Sequence, residues 1–195
     1  MKTINTYQEA IFEPMLERML APENLHREPQ LSLFQKVLLT TDGSVTELLR
    51  LYAGGPIRAS KLFQTVGTGP LADASGLLEA LDAPAGASLL QREIMLIHGT
   101  TPLVFAASTF VLARLSPAIR AGLVDTEVPI GLLWRQERAE MYREIVDLRL
   151  ERFAAVAAHF GLAADTLLLS RSYTLRQSGR VMGMITEKFP ITGFR

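Results

Sequence analysis

SRSYTLRQSGRVMGMITEKFP, Ser170 to Pro190, reads as two extended segments around a tight turn at Ser178-Gly179. Successive side chains of a strand point to opposite faces, so Val181, Gly183, Ile185, Glu187 and Phe189 share one face. Glu187 is then a lone acid among apolar neighbours. Burying an unpaired charge is expensive, so such an acid is paired, protonated or part of a site.

Ser88 to His98, SLLQREIMLIH, is the strongest strand signal, with Leu90, Arg92, Ile94 and Leu96 on one face. Gly99-Thr100-Thr101 turns and Leu103 to Leu112 returns, a second hairpin. Arg92 is the natural counterpart of Glu187, because a guanidinium stays charged and offers paired donors to a carboxylate. Two readings stay open at this point. One is a structural ion pair, or an arginine snorkelling to an edge. The other is a small apolar cavity with one fixed cation and one acid, suited to a small carboxylate.

Around these hairpins the periodicity predicts helices. Tyr7 to Leu20 carries a stripe of Ala10, Ile11, Met15, Leu16 and Met19, with Pro14 starting or kinking it. Ala21 to Gln30 is a loop and Leu31 to Leu39 a short helix. Asp42-Gly43 turns into a helix from Val45 to Ala53, with capping-box spacing at Ser44 and Glu47 and a stop at Gly54-Gly55. Pro56 to Val66 is a weak strand. Gly67 to Gly86 is a candidate lid with about one helical turn near Leu77. Ser116-Pro117 opens a helix ending near Val124. Val128 to Trp134 is a short helix, Val146, Leu148 and Leu150 alternate as a strand with a helix as the close competitor, and Phe153 to Phe160 is helical. No internal repeat is evident. Helices flanking a hairpin-built sheet define an α+β protein, read as one domain over residues 1–195.

The 195 residues are 48% hydrophobic and 21% charged, the balance of a globular domain with a sizeable core. Lys+Arg and Asp+Glu both total 20. The formal net charge of zero argues against nucleic-acid and membrane-surface partners and permits self-association into a homo-oligomer. With no cysteine there is no disulfide, thiol nucleophile or thiolate metal site. His26, His98 and His159 lack metal-ligand spacing. No signal-peptide h-region opens the chain and no apolar run is long enough to span a bilayer, so a cytoplasmic location is expected. Arg138, Arg143, Arg149 and Arg152 read as a solvated face, Met182 and Met184 as core on one strand face, and Ser44 and Ser108 lack a partner base.

Taken together, LLTTDGSVTELL (Leu38 to Leu49), LLQREIMLIHGTTPLVFAAS (Leu89 to Ser108), VPIGLLW (Val128 to Trp134), YREI (Tyr142 to Ile145) and RSYTLRQSGR…ITEKFP (Arg171 to Pro190) resemble the chorismate pyruvate-lyase family, its longer branch. The resemblance implies a chorismate-lyase-like fold: an antiparallel sheet of about six strands with helix-turn-helix flaps over an internal cavity. It implies elimination of pyruvate from chorismate to give 4-hydroxybenzoate, without metal or redox cofactor. Its ligand class is a small aromatic or cyclohexadiene carboxylate. Arg92 carries over as the cavity arginine and Glu187 as the cavity glutamate, with Val45 and the Ile130-Gly131 pair on the apolar wall. Arg171 and Lys188 are candidates for a second carboxylate-binding cation. Arg92 and Glu187 are expected at opposite ends of a ligand. The competing readings are a related enzyme acting on another ring or enol-ether carboxylate, and a non-catalytic aromatic-acid sensor.

Overall fold

The computed structural model describes residues 31–68 and 75–195; the expected Tyr7 to Leu20 helix and the Ala21 to Gln30 loop lie outside them. The chain runs α1 (Leu33–Thr40), α2 (Val45–Ala53), β1 (Arg58–Thr68), α3 (Ser75–Ala80), β2 (Ser88–His98), β3 (Thr101–Val111), a 3-10 turn, α4 (Pro117–Asp125), α5 (Ile130–Gln136), β4 (Tyr142–Arg152), α6 (Ala154–His159), β5 (Leu167–Gln177) and β6 (Arg180–Pro190). The six strands among the described residues form one antiparallel sheet in the order β1-β2-β3-β6-β5-β4.

That order is two three-stranded meanders joined at β3 and β6. The element sequence of one half, helix, helix, strand, helix, strand, strand, is the element sequence of the other. All six strands have 11 residues. The register slips recur at matching places, between Lys61 and Phe63 in β1 and between Ile145 and Asp147 in β4. The fold is a structural duplication, which corrects the expectation of no internal repeat. Its trace in the sequence is Leu89-Leu90-x-Arg92-x-x-x-Leu96 against Leu168-Leu169-x-Arg171-x-x-x-Leu175. Four shared residues in each half stay below notice until the strands are superposed.

Local signals account for most elements. Ser32 accepts from Gln35 N–H while the Gln35 side chain accepts from Ser32 N–H, a complete capping box. Ser44 caps α2 by accepting from Glu47 N–H, but Glu47 does not close the expected box; it pairs with Arg50 and Arg135 at 3.3 and 3.2 Å. Ser116 and Pro117 open α4 as expected. Ser178 and Gly179 both have positive φ, 49° and 78°, as a two-residue hairpin turn following the strand twist requires.

The sheet has an inner and an outer face. The main core packs Leu90, Ile94, Leu96, Val104, Ala106, Phe110, Leu169, Tyr173, Leu175, Ile185 and Phe189 against α1, α2, α4 and α5. On the outer face two small clusters form under α3 and α6. The expected alternation holds along β6 except at its start. Arg176 pairs with Val181 while Leu175 pairs with Gly183, so Met182 is an extra residue. A bulge of this kind reverses the facing of what precedes it. Val181 therefore joins the outer cluster with Leu81, Leu89 and Val111, and Met182 enters the main core, separate from Met184.

Gly183 lets β6 approach β3 closely in the inner layer. A Cβ there would stand 2.6 Å from the Thr109 carbonyl oxygen and nearer still to the Phe110 ring. Because the obstacle includes backbone, repacking cannot relieve it cheaply. Gly183→Ala is expected to lower unfolding free energy by about 1–3 kcal/mol in urea titrations; unchanged stability would mean that β3 and β6 can separate locally.

Candidate functional site

The duplication places two guanidiniums at matching positions of the inner face. Arg92 is the fifth residue of β2 and Arg171 the fifth of β5. Both are buried, at 3% and 1% exposure. Glu187, 5% exposed, is the eighth residue of β6 and pairs across the ladder with Arg171. Its matching position in β3 is Ser108.

Arg171 Nε donates to Glu187 Oε2 at 2.7 Å, and Tyr173 Oη donates to Glu187 Oε1 at 3.1 Å. The Arg171 guanidinium lies 5.0 Å from the centre of the Tyr173 ring. Arg171 Nη1 donates to the Thr41 carbonyl at 2.9 Å, and Arg143 Nη1 donates to the Asp42 carbonyl at 2.8 Å. The α1–α2 turn is therefore anchored by two arginines of the second meander. Arg143 is half-buried, and its charge acts on Tyr173, so it is not part of a fully solvated face. Arg138, Arg149 and Arg152 are exposed as expected.

The electrostatics differ between the halves. Burial, the largest single influence, would lower the Arg171 pKa, but the adjacent Glu187 carboxylate and Tyr173 together outweigh it and hold Arg171 above the ordinary value. Burial, and then the Glu187 charge, push the Tyr173 phenol up. Arg92 has no such compensation, and burial pushes it down to about 10. Its Nε and Nη2 are buried without an acceptor, as is Arg171 Nη2. Buried donors without partners are rare in native proteins and call for an explanation.

Of the two readings left open for Arg92 and Glu187, the direct ion pair is not what the structure holds. Glu187's ionic partner is Arg171, directly opposite on the neighbouring strand. Arg92 lies two strands from Glu187, with Ser108 and then Ile185 in its own row. Two strand spacings are roughly 10 Å. The two expected residues share a face and are not bonded to each other.

Val45 and Ile130 are the first residues of α2 and α5, again matching positions of the two halves. The first turn of a helix leaves N–H donors without intrahelical acceptors. The α5 start also lies against the α2 cap: a Cβ on Gly131 would stand 2.8 Å from Ser44 Oγ. Glycine at 131 lets the two helix starts meet. Lys188 is on the other side of the sheet. It follows Glu187, so alternation turns it outward, where it pairs with Glu151 and lies 5.4 Å from the Phe153 ring centre. It does not join Arg171 and Glu187.

A groove of about 580 Å³ lies on the outer face, over Glu93, Ala107, Thr109, Met184 and Thr186, with Phe63 and Leu77 beside it. The register puts these floor residues on the face opposite Glu187 and Arg171. Arg92 and Ser108 also border the groove, although the same register turns their side chains inward. The buried charges, rather than this groove, define the candidate site.

Tyr173 and Arg143 carried no distinguishing signal in the sequence. The repeated Leu-Leu-x-Arg pattern marks Arg171 as the counterpart of Arg92.

An antiparallel six-stranded sheet with paired helices over one face is the chorismate-lyase-like α+β architecture, and solved structures share it. The effector domain of PhnF from Mycobacterium smegmatis superposes with a TM-score of 0.60 at 19% identity, covering 77% of this chain and 90% of that one. A GntR-family transcriptional regulator from Enterococcus faecalis superposes at 0.56 with 10% identity, over 70% and 96%. At these identities the likeness is one of fold. The sequence narrows the class. Residues 39–194 match the family model described as chorismate pyruvate-lyase Rv2949c-like, and the chain belongs to that family. A Methanocaldococcus jannaschii protein named "Putative lyase MJ0807" is 26% identical over 164 residues, 82% of this chain and 79% of its own length. No helix among the described residues is long and apolar enough to cross a membrane.

Proposed function

We propose that the protein eliminates pyruvate from chorismate to give 4-hydroxybenzoate on the inner face of the sheet. The observation that carries this reading is the pair of buried guanidiniums, Arg92 and Arg171, each with buried N–H groups that have no acceptor. The carboxylate of Glu187 is bonded to Arg171, and Arg92 Nε and Nη2 have no acceptor. A dianionic ligand supplies the missing acceptors, and chorismate carries two carboxylates.

In this reading Arg92 binds the ring carboxylate through paired charged hydrogen bonds. Glu187, held at the far end, faces the hydroxyl-bearing ring carbon. The enolpyruvyl carboxylate then falls near Arg171 Nη2 and Arg143. Elimination breaks the ring carbon–oxygen ether bond and removes the proton from the hydroxyl-bearing carbon, making the ring aromatic. The enolpyruvate takes up a proton and becomes pyruvate. Glu187 is the acid–base group for these transfers, and the Val45 and Ile130 walls orient the ring. Family membership and the lyase relative support the reaction class.

Purified protein mixed with chorismate tests the proposal. Release of 4-hydroxybenzoate and pyruvate above the uncatalysed background is expected, and its absence sinks the lyase reading. Tight aromatic-acid binding without turnover would favour a sensor. Arg92→Leu gives a second readout. The depressed Arg92 pKa means that the folded state disfavours its charge, a penalty present below about pH 10 and relieved as pH rises through that value. Removing the unpaired guanidinium at pH 7.5 should leave the ligand-free fold equally or more stable. It should raise the 4-hydroxybenzoate dissociation constant about 10–100-fold, as loss of a charged hydrogen-bonding group does. A destabilised variant with normal affinity would make Arg92 structural.

A further inference from the structure

We propose that Tyr173 is a positioning residue for Glu187, one that orients the carboxylate for proton transfer without binding the substrate itself. The inference rests on the lyase reading. Its first support is the duplication. Tyr173 is the seventh residue of β5, and the seventh residue of β2 is Ile94. Both are buried in the same core, at 4% and 7% exposure. The framework accepts an aliphatic side chain at this place, so packing alone does not call for a phenol. The same comparison sets Glu187 against Ser108. The acid and the phenol thus occur together in one half and are both missing from the other.

Geometry supplies the second support. The Tyr173 hydroxyl donates to Oε1 and Arg171 Nε donates to Oε2, one donor on each oxygen. Two donors approaching from neighbouring strand positions fix the plane of the carboxylate as well as its place. A single ion pair would leave the group free to turn about its last bond. Arg171 also lies against the Tyr173 ring, so the three side chains brace one another. With its plane set, Glu187 keeps lone pairs directed toward the ligand, and the reacting proton meets an oriented acceptor. Misorientation at this point lowers turnover more than binding, since Arg92 and Arg171 hold the carboxylates of the substrate.

Tyr173→Phe keeps the ring and removes the donor. The expected result is a fall in kcat of about 10–100-fold, the range for a hydrogen bond to a charged group, with KM for chorismate within about twofold. In a Glu187→Gln background the same change should alter kcat less than about twofold, because the residue acts through Glu187. Unchanged kcat, a change confined to KM, or equal losses in both backgrounds would overturn the proposal. A crystal structure of ligand-free Tyr173→Phe protein reads the claim without turnover. Glu187 should rotate its carboxylate plane or take more than one conformer. One unmoved conformer would overturn the positioning role, whereas a wild-type protein that leaves chorismate intact sinks only the lyase reading.

Discussion

Glu187→Gln should lower kcat on chorismate by about 10²–10⁴-fold, the usual contribution of a positioned acid–base group. The substitution keeps shape and volume. Its amide oxygen can accept from Arg171 Nε, and its NH₂ can donate to the Tyr173 oxygen, since a hydroxyl both donates and accepts. The two contacts at 2.7 and 3.1 Å therefore have amide equivalents, and the fold should survive with modest loss. What disappears is the ability to take and return a proton. Affinity for 4-hydroxybenzoate should change far less than turnover, because Arg92 is untouched. Steady-state release of pyruvate and calorimetric titration with 4-hydroxybenzoate separate the two quantities. Wild-type turnover by the glutamine variant would remove Glu187 from the chemistry and leave it as the counter-ion of Arg171.

Arg171→Ala is expected to produce the largest stability change of any single site substitution. The side chain is 1% exposed and holds Glu187, the Thr41 carbonyl and the Tyr173 ring. Deleting it leaves a buried carboxylate without its cation and a turn carbonyl without its donor. Removing one partner of a buried ion pair costs about 3–5 kcal/mol. At this chain length that is a fall in melting temperature of about 10 °C. A double variant, Arg171→Met with Glu187→Leu, should recover most of the loss, because an apolar pair carries no desolvation penalty. Thermal and urea unfolding measure both. If the double variant is as unstable as Arg171→Ala, the loss comes from the Thr41 anchor and packing rather than from an orphaned carboxylate.

Arg92 and Arg171 occupy matching places but behave oppositely. Arg171 is compensated within the protein, and its pKa stays high. Arg92 is not compensated, and its pKa falls to about 10. Arg171→Ala is accordingly predicted to harm the fold, and Arg92→Leu to spare or stabilise it while removing affinity. Such opposed outcomes distinguish a cation that supports the fold from one held ready for a ligand.

Much of the architecture was legible locally. The Ser88 to His98 alternation, the Ser116-Pro117 start and the Ser178-Gly179 turn each state a local preference that tertiary packing did not override. Where the local reading failed, the cause lay in another strand or helix. Val181 changes face because β6 carries one extra residue against β5, and a bulge is a property of a pair of strands. Glu47 leaves its capping box for two arginines, Arg50 on its own helix and Arg135 on another at 3.2 Å. The duplication was hidden because the halves keep the inward and outward pattern while sharing few identities.

The sequence by itself determined that Arg92 and Glu187 lie on inward strand faces, because side-chain alternation is a local rule of extended backbone. It also determined the α+β class and, through five ordered motifs, the family. Only the tertiary structure decided which cation meets Glu187. Strand order and register are set by which apolar faces pack together across the whole chain, and that packing put Arg171 opposite Glu187 and Arg92 two strands away. The same cause gave Tyr173 its place at the second carboxylate oxygen and left Arg92 buried with donors free.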